Sequence, residues 1–184
     1  MYADAVNTLT AYAPPDPGQQ ALRSHYLDLL RRRPGAVARE DGPEHLTASA
    51  LVVDEAGERT LLALHRKGGM WVQLGGHIEE HDQTLAGAAL REAREESGIA
   101  DLRLVVDVPV DLDRHELGPA FGRCAAHCDV RYVVVAPPGA VEAVSPESLE
   151  LRWFAWDALP TEAVPDLSHL IEGARRILAL QRFP

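Results

Sequence analysis

Apolar positions along this chain change their spacing several times, and each change marks an element. Between Pro17-Gly18 and Pro34-Gly35, Leu22, Tyr26, Leu29 and Leu30 recur at helical spacing, which predicts a lone amphipathic helix over residues 19–33. The arginines of its last turn suit the negative end of the helix dipole. The pattern then turns strand-like: LTASALVVDE and AGERTLLALHRK flank the link Glu55-Ala56-Gly57-Glu58 and predict a hairpin. MWVQL at 70–74 predicts a short strand ending at Gly75-Gly76, where a backbone without Cβ can turn sharply or approach a ligand. From Thr84 the spacing is helical again until Gly98. LRLVVDVPVDL, DVRYVVVAP and LELRWFAW read as further core strands, and PDLSHLIEGARRILALQRF as a closing helix. Residues 112–127 keep no steady period, which predicts a long loop near the site. Strands on both sides of an interior helix predict a mixed α/β layer structure.

Length and composition narrow the function classes. A chain of 184 residues can fill one core, so one active site is expected. No apolar run approaches the roughly 20 residues that cross a bilayer, and the N-terminus has neither the basic start nor the apolar stretch of a secretory signal. A cytoplasmic protein with no membrane partner is the default expectation. The 18 basic and 28 acidic side chains give a net charge of -10, which opposes binding to duplex nucleic acid. A small phosphorylated substrate remains compatible, because metal ions neutralise both an acidic pocket and ligand phosphates. Cys124 and Cys128, in RCAAHCD, are too few for a disulfide framework, and His127 between them completes no zinc set without further ligands, so reduced, packed thiols are expected.

The chemistry concentrates in GGHIEEHDQTLAGAALREAREESGIA, residues 75–100. With Thr84 as N-cap and Gly98 as terminator, Glu92, Glu95 and Glu96 fall at i, i+3 and i+4 on one helix face. Three repelling carboxylates need open solvent or a cation, and oxygen-only ligands suit a hard ion such as Mg²⁺ or Mn²⁺. A solvated face paired with Arg91 and Arg94 is the plainer alternative. The glycine pair just upstream shifts the balance toward a cation.

This stretch resembles the signature of the MutT-like Nudix hydrolase family: Gly, five residues, Glu, seven residues, then Arg-Glu-U-x-Glu-Glu-x-Gly-U, with U a bulky aliphatic. Arg91 to Ile99 match the second half, except that Ala93 is small. In the first half, five residues after Gly76 comes Asp82 rather than Glu, and eight residues rather than seven separate Asp82 from Arg91. Counting back from Arg91 places Gln83 at the glutamate position instead. The resemblance extends from about residue 46 to 180 through the preceding hairpin, Trp71 and LELRWFAWDALP. It implies a Nudix-type α/β/α sandwich with a mixed sheet over residues 46–184, behind an N-terminal helical extension over residues 1–45 that could cover the sheet or an oligomer interface.

The resemblance also implies a function: metal-dependent hydrolysis of a diphosphate linkage in a nucleoside diphosphate derivative, by water attack on phosphorus. Carried over by position, Glu95 and Glu96 would hold metal, Glu92 would be a ligand or the general base, Gly76 would bind metal through its carbonyl, and Arg91 would orient the glutamates. Glu147, ahead of Glu150, is the first candidate for a base outside the motif. His77, His65 and Lys67 are candidate substrate contacts, whereas Glu79 and Glu80 read as exposed loop charges. Asp111, Asp113 and His115 resemble a ligand string but read better as a polar loop. A nucleotide-binding regulatory module without hydrolysis is the competing function, and a prenyl diphosphate isomerase a remote third.

Overall fold

The computed structural model describes residues 1–66, 68–118, 124–146 and 148–181. Helices α1 (Tyr2–Ala11) and α2 (Pro17–Arg32) open the chain. They lead into strands β1 (Glu44–Val53), β2 (Arg59–His65), β3 (Trp71–Val72) and β4 (Leu74–His77) and helix α3 (Leu85–Ser97). Strands β5 (Arg103–Leu104), β6 (Asp111–Glu116), β7 (Ala126–Val135) and β8 (Ser148–Ala155) follow, and helix α4 (Leu167–Gln181) closes the described chain.

These strands form one mixed sheet along the path β3-β2-β1-β7-β5, with β4 on β1, β6 on β7 and β8 on β2. At its centre β1 and β7 run parallel from Glu44↔Ala126 to Val53↔Val135. A central strand is covered on both faces, which is why LTASALVV reads as a continuous run and why every β1 residue after Glu44 is buried. Alternate residues nevertheless serve different layers. Leu46, Ala48, Ala50 and Val52 join α1, α2 and α3 in one core, and Leu51 and Val53 join α4 in the other. The result is the α/β/α sandwich that the sequence implied.

Four sequence expectations need correction. The N-terminal region holds two helices rather than one; α1 commits only Ala5 and Leu9 to full burial, a single i, i+4 pair that gives little periodic signal. Gly75-Gly76 is no turn, because both residues pair inside the β4 ladder, Ser49↔Gly75 and Ala48↔Gly76. The long run LRLVVDVPVDL contributes just two strand residues before Asp111: the chain touches β7 at Val105 and Val110, while Pro109, which has no N–H to donate, lies between. Residues 112–127 are not one loop, since residues 111–116 and 126–131 pair as an antiparallel ladder. In β6 Asp113 is half-buried and Arg114 to Glu116 are exposed, so no apolar alternation announces the strand.

Candidate active site

Helix α3 is fixed at both ends by the residues its sequence offers. The Thr84 hydroxyl accepts the Gly87 N–H at 3.0 Å, and Gly98 ends the helix at φ 70°, in the left-handed region. Leu85, Ala88, Ala89 and Ala93 are buried against the sheet. Small alanines let the helix lie close to β1 and β4, so the compact Ala93 at the family's aliphatic position fits the packing.

That close approach brings the carboxylates to the glycine strand. The Gly75 N–H donates to Glu96 Oε2 at 2.9 Å. A Cβ on Gly76 would lie 2.8 Å from Glu92 Oε1, and one on Gly75 would lie 2.3 Å from the Ser49 Cβ. Crowding against β1 therefore demands glycine at 75, while the Glu92 carboxylate lies close over Gly76, and neither glycine serves a turn conformation.

Arg91 ties this arrangement together. Its guanidinium donates to Glu92 Oε1 at 3.1 Å, Glu95 Oε2 at 3.0 Å and the His77 carbonyl at 3.0 Å. Two further bonds form a fork on Asp82, at 3.1 Å to Oδ1 and 2.9 Å to Oδ2, the bidentate geometry that an arginine and a carboxylate share. The Glu79 N–H caps the same Asp82 carboxylate at 2.8 Å. Burial raises the Asp82 pKa, but the Arg91 and Glu79 hydrogen bonds outweigh it and hold the carboxyl below its ordinary value. The Arg91 guanidinium is raised in turn, chiefly by Asp82.

The position whose glutamate is absent is thus filled in space. Asp82, one methylene shorter, reaches Arg91 from a loop that is one residue longer, while the exposed Gln83 only donates to the His81 carbonyl at 3.0 Å. Sequence spacing left the two candidates open; the bidentate contact decides for Asp82. Asp4 is a second residue the sequence did not single out: its carboxylate accepts the Leu85 N–H at 2.8 Å, at the positive end of α3.

Of the other candidates, His77 is drawn into a group of rings, 5.2 Å from the buried His45 and 5.1 Å from the half-buried His127 between centroids. The His65 Nδ1 accepts the Gly68 N–H at 3.0 Å, across the turn that follows β2. Lys67 and Glu147 lie outside the described residues. Glu150 is paired with Arg152 on β8. Asp111, Asp113 and His115 belong to β6 rather than a loop, and both aspartates pair with the buried Arg131 at 3.2 and 3.1 Å. Cys124 and Cys128 are free, buried thiols, as expected.

The oxygen-only donor set of Glu92, Glu95 and Glu96 beside the Gly76 backbone fits a hard divalent cation. Glu95 opens to solvent with its side chain 59% exposed, whereas the Glu92 side chain is 16% exposed and Glu96 is buried.

Comparison with known proteins agrees with this geometry. A family model for the Nudix domain matches residues 43–174. No curated protein sequence is a significant match. A Nudix-family hydrolase from Clostridium perfringens shares 23% identity, with a TM-score of 0.59 over 72% of this chain and 97% of that one. A C. elegans Ap4A hydrolase shares 17% identity, with a TM-score of 0.59 over 73% of this chain and 97% of its own. The Nudix domain of Shewanella oneidensis NrtR, solved with ADP ribose, shares 19% identity, with a TM-score of 0.52 over 72% and 87% of the two chains. At these identities the structures speak for the fold alone; the family match, over a segment containing Gly76, Asp82, Arg91 and all three glutamates, goes further, and the chain belongs to the Nudix hydrolase family.

Proposed function

We propose that this protein is a metal-dependent pyrophosphohydrolase that cleaves a diphosphate linkage in a nucleoside diphosphate-type small molecule, by attack of water on phosphorus. The observation that carries the reading is the Glu92, Glu95, Glu96 face held against Gly75-Gly76 by the Arg91–Asp82 fork. The C. elegans neighbour acts on Ap4A and the Shewanella domain binds ADP ribose, both nucleotides with linked phosphates, which supports the substrate class.

In this reading Glu95, Glu96, Glu92 and the Gly76 carbonyl hold Mg²⁺ or Mn²⁺. Bound there, the ion stabilises charge on the phosphoryl oxygens and lowers the pKa of a water. Arg91 is a positioning residue: it fixes Glu92 and Glu95 through hydrogen bonds and is itself oriented by Asp82. Glu92 or Glu147 takes the proton from the attacking water, and His65, Lys67 and His77 are the candidate contacts for substrate phosphates. Among the described residues no helix is long and apolar enough to cross a membrane. We place the enzyme in the cytoplasm with a small-molecule substrate, and treat residues 1–45 as an extension of the catalytic domain.

The test is release of nucleoside monophosphate or phosphate from nucleoside triphosphates, sugar nucleotides, dinucleoside polyphosphates and ADP-ribose, with Mg²⁺ or Mn²⁺. Metal-dependent turnover that disappears in Glu96→Gln is the expected result. Thermal stabilisation by a nucleotide without any product would instead establish the regulatory module.

A further inference from the structure

A second donor cluster, of different chemistry, lies one residue from Gly76. Strand register assembles it. His45 on β1 stands directly opposite His127 on β7, and His77 on β4 stands opposite Thr47, two residues along β1 from His45 and so on the same face. The three ring centroids lie 5.0 to 5.2 Å apart. Cys124, just ahead of β7, brings a buried thiol to the same place, and one donor atom from each of the four residues lies within 4.8 Å of every other.

Two observations distinguish this cluster from incidental packing. First, the Nε2 atoms of His45, His77 and His127 are all buried and, among the described residues, have no hydrogen-bond partner. Buried polar atoms are ordinarily satisfied, and three orphans in contact with one another call for something between them. Second, His45 has no solvent exposure, and its Nδ1 contacts the Gly42 carbonyl at 3.2 Å. A carbonyl only accepts, so Nδ1 carries the proton and Nε2 presents its lone pair inward, the outer contact that orients metal-bound histidines.

We propose that His45, His77, His127 and Cys124 form a tetrahedral site for a structural zinc ion. Three imidazole nitrogens and a thiolate match the borderline-soft preference of Zn²⁺, and four protein ligands leave no open position for substrate. Tetrahedral Zn–N and Zn–S bonds place ligand atoms about 3.3 to 3.6 Å apart, so the cluster contracts on binding. Cys124 releases its proton to solvent as the metal enters. The second cluster of potential ligands, His25, Glu44 and Cys128, differs: Arg114 and His25 already occupy Glu44 at 2.7 and 2.9 Å.

The position gives the ion a role. It joins β1, β4 and β7 at one end of the sheet, and the His77 backbone carbonyl is an anchor of Arg91. A metal at His77 Nε2 therefore stiffens the strand that carries Gly76, and it removes His77 from the candidate phosphate contacts.

The full chain, purified under reducing conditions without chelator, is assayed for metal content and melting temperature. About one zinc per chain is expected, with the melting temperature falling on chelation and recovering with added Zn²⁺. Glu96→Gln keeps the zinc even when turnover is lost, which separates this proposal from the hydrolase reading. Cys124→Ser and His127→Gln lose it. Cobalt replacing zinc gives tetrahedral visible absorption with a thiolate charge-transfer band, and Cys124→Ser abolishes that band. A metal-free wild type that neither binds Zn²⁺ stoichiometrically nor gains stability from it overturns the proposal, whether or not the variants fold; so does zinc that survives His127→Gln.

Discussion

Arg91 and Arg131 are each surrounded by carboxylates, yet the two arrangements do opposite things. Arg131 is 2% exposed and meets Asp111, Asp113, Asp129 and Asp166 at 2.5 to 3.2 Å. Its aspartates are engaged a second time: His169 holds Asp111 at 2.7 Å, His115 holds Asp113 at 2.8 Å, and Thr47 and Ser49 donate to Asp129 at 3.0 and 2.6 Å. Among the described residues, three of the four aspartates are thus doubly engaged, and Asp166 meets Arg131. Around Arg91, Asp82 and Glu96 are closed in and Glu92 is largely so, while Glu95, which shares one guanidinium nitrogen with Glu92, opens to solvent. Composition alone does not separate a structural knot from a metal site. Saturation and exposure do.

Arg131→Ala should have the largest effect. Removing the cation strands four carboxylates, two of them almost wholly buried, and a destabilisation of about 3–5 kcal/mol is expected. Chemical denaturation measures it, and a variant as stable as wild type contradicts the structural role. Arg91→Ala should instead spare much of the stability and lower turnover by roughly 10- to 100-fold, the usual effect of removing a residue that orients metal ligands. Steady-state kinetics at matched fold content read the difference. Asp82→Ala should have a smaller effect, about tenfold, through a misplaced Arg91, and it should add little in the Arg91→Ala background. Equal, independent losses in that cycle argue against Asp82 acting through Arg91.

The pH dependence of stability sharpens the same contrast. Asp82 titrates below its ordinary value, so its contribution is complete above a pH of about 4 and is lost as pH falls through the lowered value. Asp82→Asn should flatten that acid limb. His169, beside the Arg131 knot, goes the other way: burial lowers its pKa, but hydrogen bonds to Asp111 and Asp16 outweigh burial and raise it. Its contribution is complete below a pH of about 6.5 and is lost as pH rises through the raised value, so His169→Asn should flatten the alkaline side. Melting temperatures from pH 3 to 9 test both, and a variant curve parallel to wild type at either end contradicts that assignment.

The contrast also explains what could be read from the chain. Arg91, Glu92, Glu95 and Glu96 sit within six residues on one helix, where i, i+3 and i+4 spacing fixes which side chains meet. The hairpin, the capped helix, the closing helix and the layered fold were legible for the same local reason. Asp82 was legible as a departure and not as a solution, because its contact with Arg91 depends on the path of a loop. The Arg131 knot draws on Asp111, Asp129 and Asp166, and the histidine cluster on β1, β4 and β7. Such partners become neighbours only through strand register, and the polar outer half of β6 gave no periodic hint of it. RCAAHCD supplied two of the four proposed zinc ligands, while His45 was unmarked and His77 was marked only as a candidate substrate contact.

Turnover should depend on a metal held by the α3 carboxylates. The direct measurement is turnover of the best substrate against Mg²⁺ concentration, for wild type and Glu95→Gln at equal melting temperature. The account predicts no turnover in chelator, saturable recovery in wild type, and a loss of roughly 10²- to 10³-fold in the variant with a weakened metal response. A variant that turns over like wild type, with the same dependence on Mg²⁺, would contradict it.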